Sequence, residues 1–270
     1  MKLGEKLIKG RRIFLIWSVI GIAVHIIALL VLTPWTDQLG VASSPQRQIY
    51  RLIFDWWVLK LPISLLGFSI VAEKSLWLAP RGRFQEGKTY PIFNTYNYTA
   101  IAFMAALFTA AGILNYNFFD LAAAPATIAV TFFNPIIGFF TLWVGGIARA
   151  LIFGTGNPVF WALGQGPSDG ATWLWLGIFF WWFRESTKWG KNPAFVIVWW
   201  IAVYVIWRTV YMFDIWVWLN PVPALWARMV WFFTQFLPSG LLASVAGLVA
   251  AEALIRARGR GTKQSAAPRK

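Results

Sequence analysis

The sequence predicts an all-α polytopic membrane protein with about eight transmembrane helices. Of its 270 residues, 59% are hydrophobic and 13% are charged, whereas soluble domains have about 45–50% apolar and about 25% charged residues. Long apolar runs such as residues 13–33 also reach the roughly 20 residues that cross a bilayer core of about 30 Å. Composition and run length together exclude an ordinary soluble domain.

The predicted spans are separated by polar or helix-breaking residues. They lie at residues 13–33, 53–79, 98–114, 121–136, 138–153, 171–183, 195–218 and 225–255. The fourth and fifth would form one long helix without the Asn134-Pro135 pair between them. Because proline removes a backbone donor and disfavours helix in the preceding residue, we expect two short spans here.

The distribution of basic residues predicts which helix ends face the cytoplasm. Lys and Arg are retained on the cytoplasmic side of membranes. With eight spans and a cytoplasmic N-terminus, most of the 24 basic residues fall in inner segments, and the outer segments hold Arg47 and Arg51. We therefore expect both termini and residues 184–194 to be cytoplasmic, and residues 154–170 to form an outer loop without Lys or Arg.

Polar stretches divide the chain into four parts. The predicted parts are an N-terminal transmembrane hairpin (1–79), a cytoplasmic linker (80–97), a six-helix bundle (98–258) and a tail (259–270). The tail is basic and contains Gly, Pro and Ala, which is typical of disordered segments. We expect it to touch anionic lipid at the cytoplasmic surface.

Several function classes are excluded by what the sequence lacks. With no cysteine and one histidine, His25, the chain cannot build a Cys-based or His-rich metal or redox centre. A lysine-bearing phosphate loop and a nucleophile–histidine arrangement are also missing. The net charge of +14 lies at helix ends and tails, which favours membrane lipids over nucleic acid as a partner. We expect no catalytic residue, metal or cofactor.

The third span carries small residues on one helical face. Ala102, Ala106 and Ala110 are spaced four apart. Small residues let membrane helices approach closely, and van der Waals contact then drives their association. The sequence leaves open whether this face docks on a partner or packs within the chain.

The predicted outer loop carries the first candidate ligand-binding residues. They are Asn157, Trp161, Gln165 and Asp169. Polar groups that converge amid aromatic walls are typical of small-molecule sites. An exposed loop whose Gly and Pro residues set turns is the alternative.

Ionisable residues inside spans give the second set of candidates, because such residues are costly in a membrane and usually face a bundle interior or a cavity. In the outer halves of their spans lie Arg149, Arg208 and Asp214, with Tyr211 midway between the last two. Steps of three residues place Arg208, Tyr211 and Asp214 near one helical face. We expect these residues either to bind a ligand or to form an internal Arg208–Asp214 pair.

Residues 98–258 resemble the substrate-binding S component of an energy-coupling factor (ECF) vitamin transporter. The resemblance rests on six spans, the four-residue alanine spacing in the first of them, and "NPIIG" at 134–138. A Gly-rich third span, the bare outer segment and the closing helix "QFLPSGLLASVAGLVAAEALIRAR" also match. Arg149 stands where the family commonly has an acidic residue, and the hairpin 1–79 is additional to the six-helix unit.

The resemblance implies a membrane-embedded, substrate-binding subunit of an ATP-driven micronutrient importer in a prokaryotic plasma membrane. Such a subunit captures a vitamin or related molecule from outside with its outer loops and the outer ends of its later helices. The alanine face at Ala102, Ala106 and Ala110 would dock on a membrane coupling subunit, which two cytoplasmic ATPases drive. The chain itself would not be an enzyme.

Two other functions are compatible with the sequence. An accessory subunit of a larger membrane complex would use the Trp-rich surface to pack on partners and would have no ligand pocket. A lipid-handling protein would place Arg149, Arg208 and Asp214 in a lateral groove at headgroup depth. A closed pocket around these three residues would instead favour transport.

Overall fold

The computed structural model describes residues 3–32, 45–73, 94–113, 120–154, 156–220 and 222–265. Within these ranges the chain consists of helices joined by short turns, without a β-strand. The predicted all-α polytopic architecture is therefore confirmed. Most of the predicted linker, residues 80–93, lies outside the described residues.

The described ranges contain eight continuous helices, one for each predicted span. They are α1 (Leu3–Leu32), α2 (45–73), α3 (Thr95–Ile113), α4 (Ala123–Phe133), α5 (Pro135–Phe153), α6 (158–186), α7 (Pro193–Leu219) and α8 (222–265). A 3₁₀ turn, Lys188–Lys191, connects α6 to α7. In the described residues, α1, α2, α5, α7 and α8 are long and apolar enough to cross a membrane. The chain is a multi-pass membrane protein.

The first two helices form an antiparallel hairpin. Gly21 lets α1 approach closely, since a Cβ there would collide with the carbonyl oxygen of Val58 on α2. Near the other end of the hairpin, Arg11 forms a 2.7 Å ion pair with Glu73 and donates to the Ser69 carbonyl oxygen at 3.1 Å. These contacts join the beginning of α1 to the end of α2.

The predicted break between α4 and α5 is confirmed. Asn134 is extended (φ −170°, ψ 165°), and its side-chain oxygen accepts a hydrogen bond from the Ile137 amide at 2.9 Å. Pro135 occupies the first turn of α5, where its missing N–H costs nothing. Because Asn134 ends α4 early, that helix is shorter than the predicted segment 121–136.

Aromatic side chains fill the interior of the six helices from α3 to α8. Trp173, Trp200 and Tyr204 are at most 2% exposed and lie with ring centroids 6.0–6.4 Å apart. The indole N–H of Trp200 donates to the Ser244 hydroxyl at 2.6 Å, and Thr127 lies 3.1 Å from the same hydroxyl. The Ser244 hydroxyl thus links α4, α7 and α8 inside the core.

Two boundaries differ from those predicted. The segment 154–170 is mostly helical: Gly154 ends α5 in the left-handed conformation (φ 64°), and α6 already begins at Pro158. Asn157 caps this new helix by accepting from the Val159 amide at 2.9 Å. At the other end of the chain, α8 continues through Ser265 and so enters the predicted tail 259–270, of which residues 266–270 lie outside the described residues.

Candidate functional site

One cavity brings together six of the eight predicted ligand-binding residues. Its volume is about 250 Å³. The six residues are Arg149, Trp161, Gln165, Asp169, Arg208 and Tyr211. The cavity therefore collects side chains from three helices, α5, α6 and α7, that the sequence alone could not place beside one another.

All six helices of the predicted bundle contribute to this cavity. Examples are Phe108 from α3, Ala123 from α4, Leu142 from α5, Trp173 from α6, Ile215 from α7 and Phe236 from α8. Most of the lining residues lie toward the ends of α3, α5 and α7 or toward the beginnings of α4, α6 and α8, whereas Leu142 and Trp173 lie near the middle of α5 and α6. The cavity consequently extends from one end of the six-helix unit toward its middle, and its walls contain no described residue of the hairpin.

The first turns of α6 form one wall. A π-helical stretch, Trp161–Gln165, precedes the α-helical part that carries Asp169. The Trp161 ring lies against Gly146 of α5, where a Cβ would approach it to 2.5 Å. Gly146 thus leaves the space that the indole occupies.

Arg208 provides a buried charge between two carboxylates. Its guanidinium lies 3.3 Å from Asp169 and 3.7 Å from Asp120, and the residue is 5% exposed. The alternative of an internal Arg208–Asp214 pair is therefore wrong. Polar side chains also surround this arginine within the described residues, since the hydroxyl of Tyr204 faces Arg208 and that of Tyr211 faces Asp169.

Arg149 provides a second positive charge in the same cavity. Its side chain passes Gly112 on α3, and its guanidinium lies 5.4 Å from the centroid of the Phe108 ring. Within the described part of the chain, no carboxylate forms an ion pair with Arg149. This guanidinium can therefore bind a carboxylate or phosphate group of a ligand without first losing an internal partner.

The remaining walls are largely aromatic. Besides Trp161 they include Phe108, Trp173, Trp216 and Phe236. Aromatic faces stack on flat rings and attract cations. The cavity can accordingly hold a small ring compound and orient its anionic group toward Arg149.

Two predicted ligand-binding residues lie outside this cavity. Asn157 caps α6 and lines a neighbouring pocket of about 180 Å³ together with Gln48 and Arg51. Asp214 faces the hairpin, where it contacts His25 and Lys60. It lines a separate cavity of about 330 Å³ with largely apolar walls.

The contacts of Asp214 belong to a buried ionic cluster that the sequence did not predict. The Lys60 ammonium lies 2.5 Å from Asp55, 3.1 Å from Asp214 and 2.8 Å from the Ser168 hydroxyl. His25 completes the cluster at 2.7 Å from Asp214. The sequence shows that charged residues lie inside apolar segments. It does not show that they pair with one another, because they lie on four different helices.

Tyr211 lies between the ionic cluster and the six-helix cavity. Its ring centroid is 4.7 Å from the Lys60 ammonium and 5.4 Å from the Arg208 guanidinium. Two consecutive residues of α6 also contact the two regions separately: Ser168 contacts Lys60 of the ionic cluster, and Asp169 contacts Arg208 of the cavity. The two charged regions are thus joined through α6 and α7.

The alanine face of α3 points away from the chain's own helices. Ala102, Ala106 and Ala110 are all exposed, whereas Met104 and Phe108 on the other side of α3 are buried. The internal-packing alternative for these alanines is therefore wrong. They form a strip of small residues on the outer surface of the bundle.

The six-helix cavity combines Arg149, which forms an ion pair with no carboxylate in the described ranges, a second arginine held by two carboxylates, and aromatic walls. This combination of an apolar enclosure with a few convergent polar groups is typical of small-molecule sites. The chemical argument rests on the residues themselves, since no protein-family model, curated protein or solved structure matches this chain.

Proposed function

We propose that this chain is the membrane-embedded, substrate-binding subunit of an ATP-driven importer for a vitamin or related micronutrient. The observation that carries this proposal is the single cavity to which all six helices from α3 to α8 contribute. Its four charged residues are Asp120, Arg149, Asp169 and Arg208. Charges of this kind inside a helical membrane protein are costly, which favours a functional site over an accidental void.

The position of the cavity supports capture from outside. It lies at the end of the bundle where α5 ends and α6 begins. The opposite end of α6 leads to residues 184–194, with Arg184, Lys188 and Lys191, and such basic segments are typically cytoplasmic. On this orientation, the ligand enters from the outer surface of a prokaryotic plasma membrane.

The size and chemistry of the cavity define the ligand class. A volume of about 250 Å³ is slightly below the range of about 300–1,000 Å³ that is usual for ligand pockets. A compact molecule with one or two flat rings suits the aromatic walls. Its anionic group would pair with Arg149, while Asp120 and Asp169 would accept hydrogen bonds from ring N–H or amine groups.

The exposed alanines on α3 supply the docking surface that an importer of this kind requires. Ala102, Ala106 and Ala110 would pack on a helix of a membrane coupling subunit, where small side chains allow close backbone approach. Two cytoplasmic ATPases would drive that subunit. The chain itself would contribute binding, and ATP hydrolysis would belong to the partners.

The geometry favours this function over the two alternatives. An accessory subunit has no need of a charged cavity at the end of its bundle. A lipid-handling site would bring Arg149, Arg208 and Asp214 to one lateral groove, but Asp214 lines a different cavity from the two arginines. Asp214 is also already engaged by His25 and Lys60.

A fluorescence titration tests the proposal. Trp161, Trp173 and Trp216 line the cavity, so a bound aromatic ring should quench or shift tryptophan emission. A panel of vitamins and their ring precursors is added to purified protein, with Trp189 replaced by Phe as a control, because it is exposed and outside the cavity. Saturable quenching by one compound supports the proposal, and a flat response to the whole panel contradicts it.

A further inference from the structure

The single histidine of the chain has a hydrogen-bond acceptor at each ring nitrogen. His25 Nδ1 lies 3.1 Å from the backbone carbonyl oxygen of Phe54, and Nε2 lies 2.7 Å from Oδ1 of Asp214. The residue is 4% exposed. Its two hydrogen bonds are therefore made to the protein.

The chemistry of these acceptors determines how many protons the ring carries. A carbonyl oxygen can only accept, so Nδ1 must donate. The carboxylate of Asp214 has its other oxygen 3.1 Å from the Lys60 ammonium, which only donates and so favours an ionised Asp214. An ionised carboxylate only accepts, and Nε2 must therefore donate as well. With both nitrogens donating, His25 is an imidazolium.

We propose that His25 and Asp214 form a proton-binding site that fastens the N-terminal hairpin to α7. Loss of one proton would leave a ring-nitrogen lone pair facing an acceptor oxygen, either that of Asp214 at 2.7 Å or the Phe54 carbonyl at 3.1 Å. Two acceptors at such a separation repel each other, so one of the two contacts that hold His25 would be lost. This site is independent of the ligand that the six-helix cavity binds.

The other charged groups around the pair come from α2. Asp55 and Lys60 face it, and Arg51 lies 3.8 Å from Asp55. With His25 protonated, three cations and two carboxylates alternate through the cluster, in the order His25, Asp214, Lys60, Asp55 and Arg51. Each charge then has an opposite charge beside it, which is the condition under which charges persist inside a membrane protein.

Lys60 cannot take over the contact that His25 makes. Its three ammonium protons already face Asp55, Asp214 and the Ser168 hydroxyl. On the other side of His25, the ring of Trp218 lies 5.7 Å away between centroids. The Nε2–H of His25 is accordingly the hydrogen-bond donor that ties α1 to α7.

Nitrogen-15 NMR of the wild-type protein tests the proposal directly. The chain is labelled with ¹⁵N-histidine and purified in lipid nanodiscs through a tag without histidine, so that both signals belong to His25. At pH about 7.5, a free imidazole is mostly neutral because its protons dissociate near pH about 6.5. We expect both ring nitrogens to resonate as protonated. One protonated and one unprotonated nitrogen would overturn the proposal.

A pair of variants assigns the effect to Asp214. In Asp214→Asn the ionised acceptor is replaced by a neutral amide, and we expect one ring nitrogen to lose its proton at pH about 7.5. Glu252→Gln is the matched control, since Glu252 pairs with Arg184 elsewhere in the bundle, and it should leave both signals protonated. Two protonated nitrogens in Asp214→Asn would show that Asp214 is not part of the site, which also overturns the proposal.

Discussion

Arg208 and Asp169 lie 3.3 Å apart across α7 and α6, inside the cavity of the six-helix unit. Asp120, just before α4, approaches the same guanidinium to 3.7 Å. Arg208 therefore links α6, α7 and the segment that leads into α4, and is itself 5% exposed. This arrangement gives Arg208 a structural role beside the ligand contact that we propose for it.

Replacing Arg208 should destabilise the protein. In Arg208→Ala the carboxylates of Asp169 and Asp120 lose their partner, and breaking a buried ion pair costs about 3–5 kcal/mol. Thermal unfolding in detergent measures the change. Arg149→Ala serves as control and should lower the midpoint much less, because no described carboxylate pairs with Arg149. Equal midpoints for the two variants would contradict the assigned pairing.

Replacing Arg149 should weaken ligand binding with little effect on stability. Loss of a hydrogen bond to a charged group costs about 1.5–3 kcal/mol, which corresponds to roughly a tenfold to hundredfold rise in Kd. Arg149→Lys keeps the charge but loses the two-pronged geometry, so we expect an intermediate Kd. Isothermal titration with the identified ligand measures both. An unchanged Kd in Arg149→Ala would remove Arg149 from the site.

Replacing Trp161 should mainly speed ligand release. The indole lies against Gly146 and forms a wall of the cavity, so Trp161→Ala opens that wall without removing a charge. Contacts of this kind affect dissociation more than association. Stopped-flow measurement should show a larger increase in the off-rate than decrease in the on-rate. A larger decrease in the on-rate than increase in the off-rate would show that Trp161 does not hold the bound ligand in the cavity.

A bulky residue on the alanine face should block partner docking. Ala106→Trp would hold apart two helices that need close backbone contact, while Ala106 is exposed and does not line the cavity. Leu151→Trp on α5 is the control, since Leu151 is 66% exposed and lies off the alanine face. Co-purification with the coupling subunit should fail for Ala106→Trp alone, with ligand binding retained in both variants. A docked Ala106→Trp protein would assign another face to the partner.

Single cysteines should report the predicted orientation. The chain has no cysteine of its own, so Lys188→Cys and Val159→Cys each give one labelling site. The positive-inside rule predicts that position 188 is cytoplasmic and position 159 is outside. In intact cells an impermeant thiol reagent should modify Val159→Cys alone. Modification of Lys188→Cys from outside would reverse the orientation.

The helix count could be predicted because its signals are local. Each span is an apolar run, and Asn134-Pro135 marks the break between α4 and α5 through backbone chemistry that needs no partner. Most residues of the cavity could also be predicted. Charged and polar groups are costly near the outer ends of apolar segments, so their presence there indicates a functional site.

The beginning of α6 could not be predicted, because its helix depends on packing. Residues 158–170 contain Gly, Pro, Ser and Asp, which are typical of loops. In the fold, a Cβ at Gly170 would approach the Phe139 carbonyl oxygen of α5 to 2.7 Å, and a Cβ at Gly166 would approach the Trp143 ring of α5 to 2.9 Å. Glycine here permits close contact between two membrane helices. The sequence alone does not distinguish such a glycine from one that forms a turn.

An Arg208–Asp214 pair, which the sequence left open as one of two alternatives, does not form for a geometric reason. At 3.6 residues per turn, two steps of three residues turn the helix by about 120° in total from its starting direction. Arg208 and Asp214 therefore point to different neighbours, with Tyr211 between them. Their actual partners, Asp169 and His25, are distant in sequence, and a single sequence carries no signal for such contacts.

Native mass spectrometry of the gently purified protein shows directly whether the six-helix cavity holds a ligand. We expect that a small molecule with a flat ring and an anionic group co-purifies with the wild-type chain. The same molecule should be absent or strongly reduced in Arg149→Ala, which should remain folded. A wild-type protein that carries no such molecule, or an Arg149→Ala protein that retains it fully, would contradict the assignment of this cavity as a binding site.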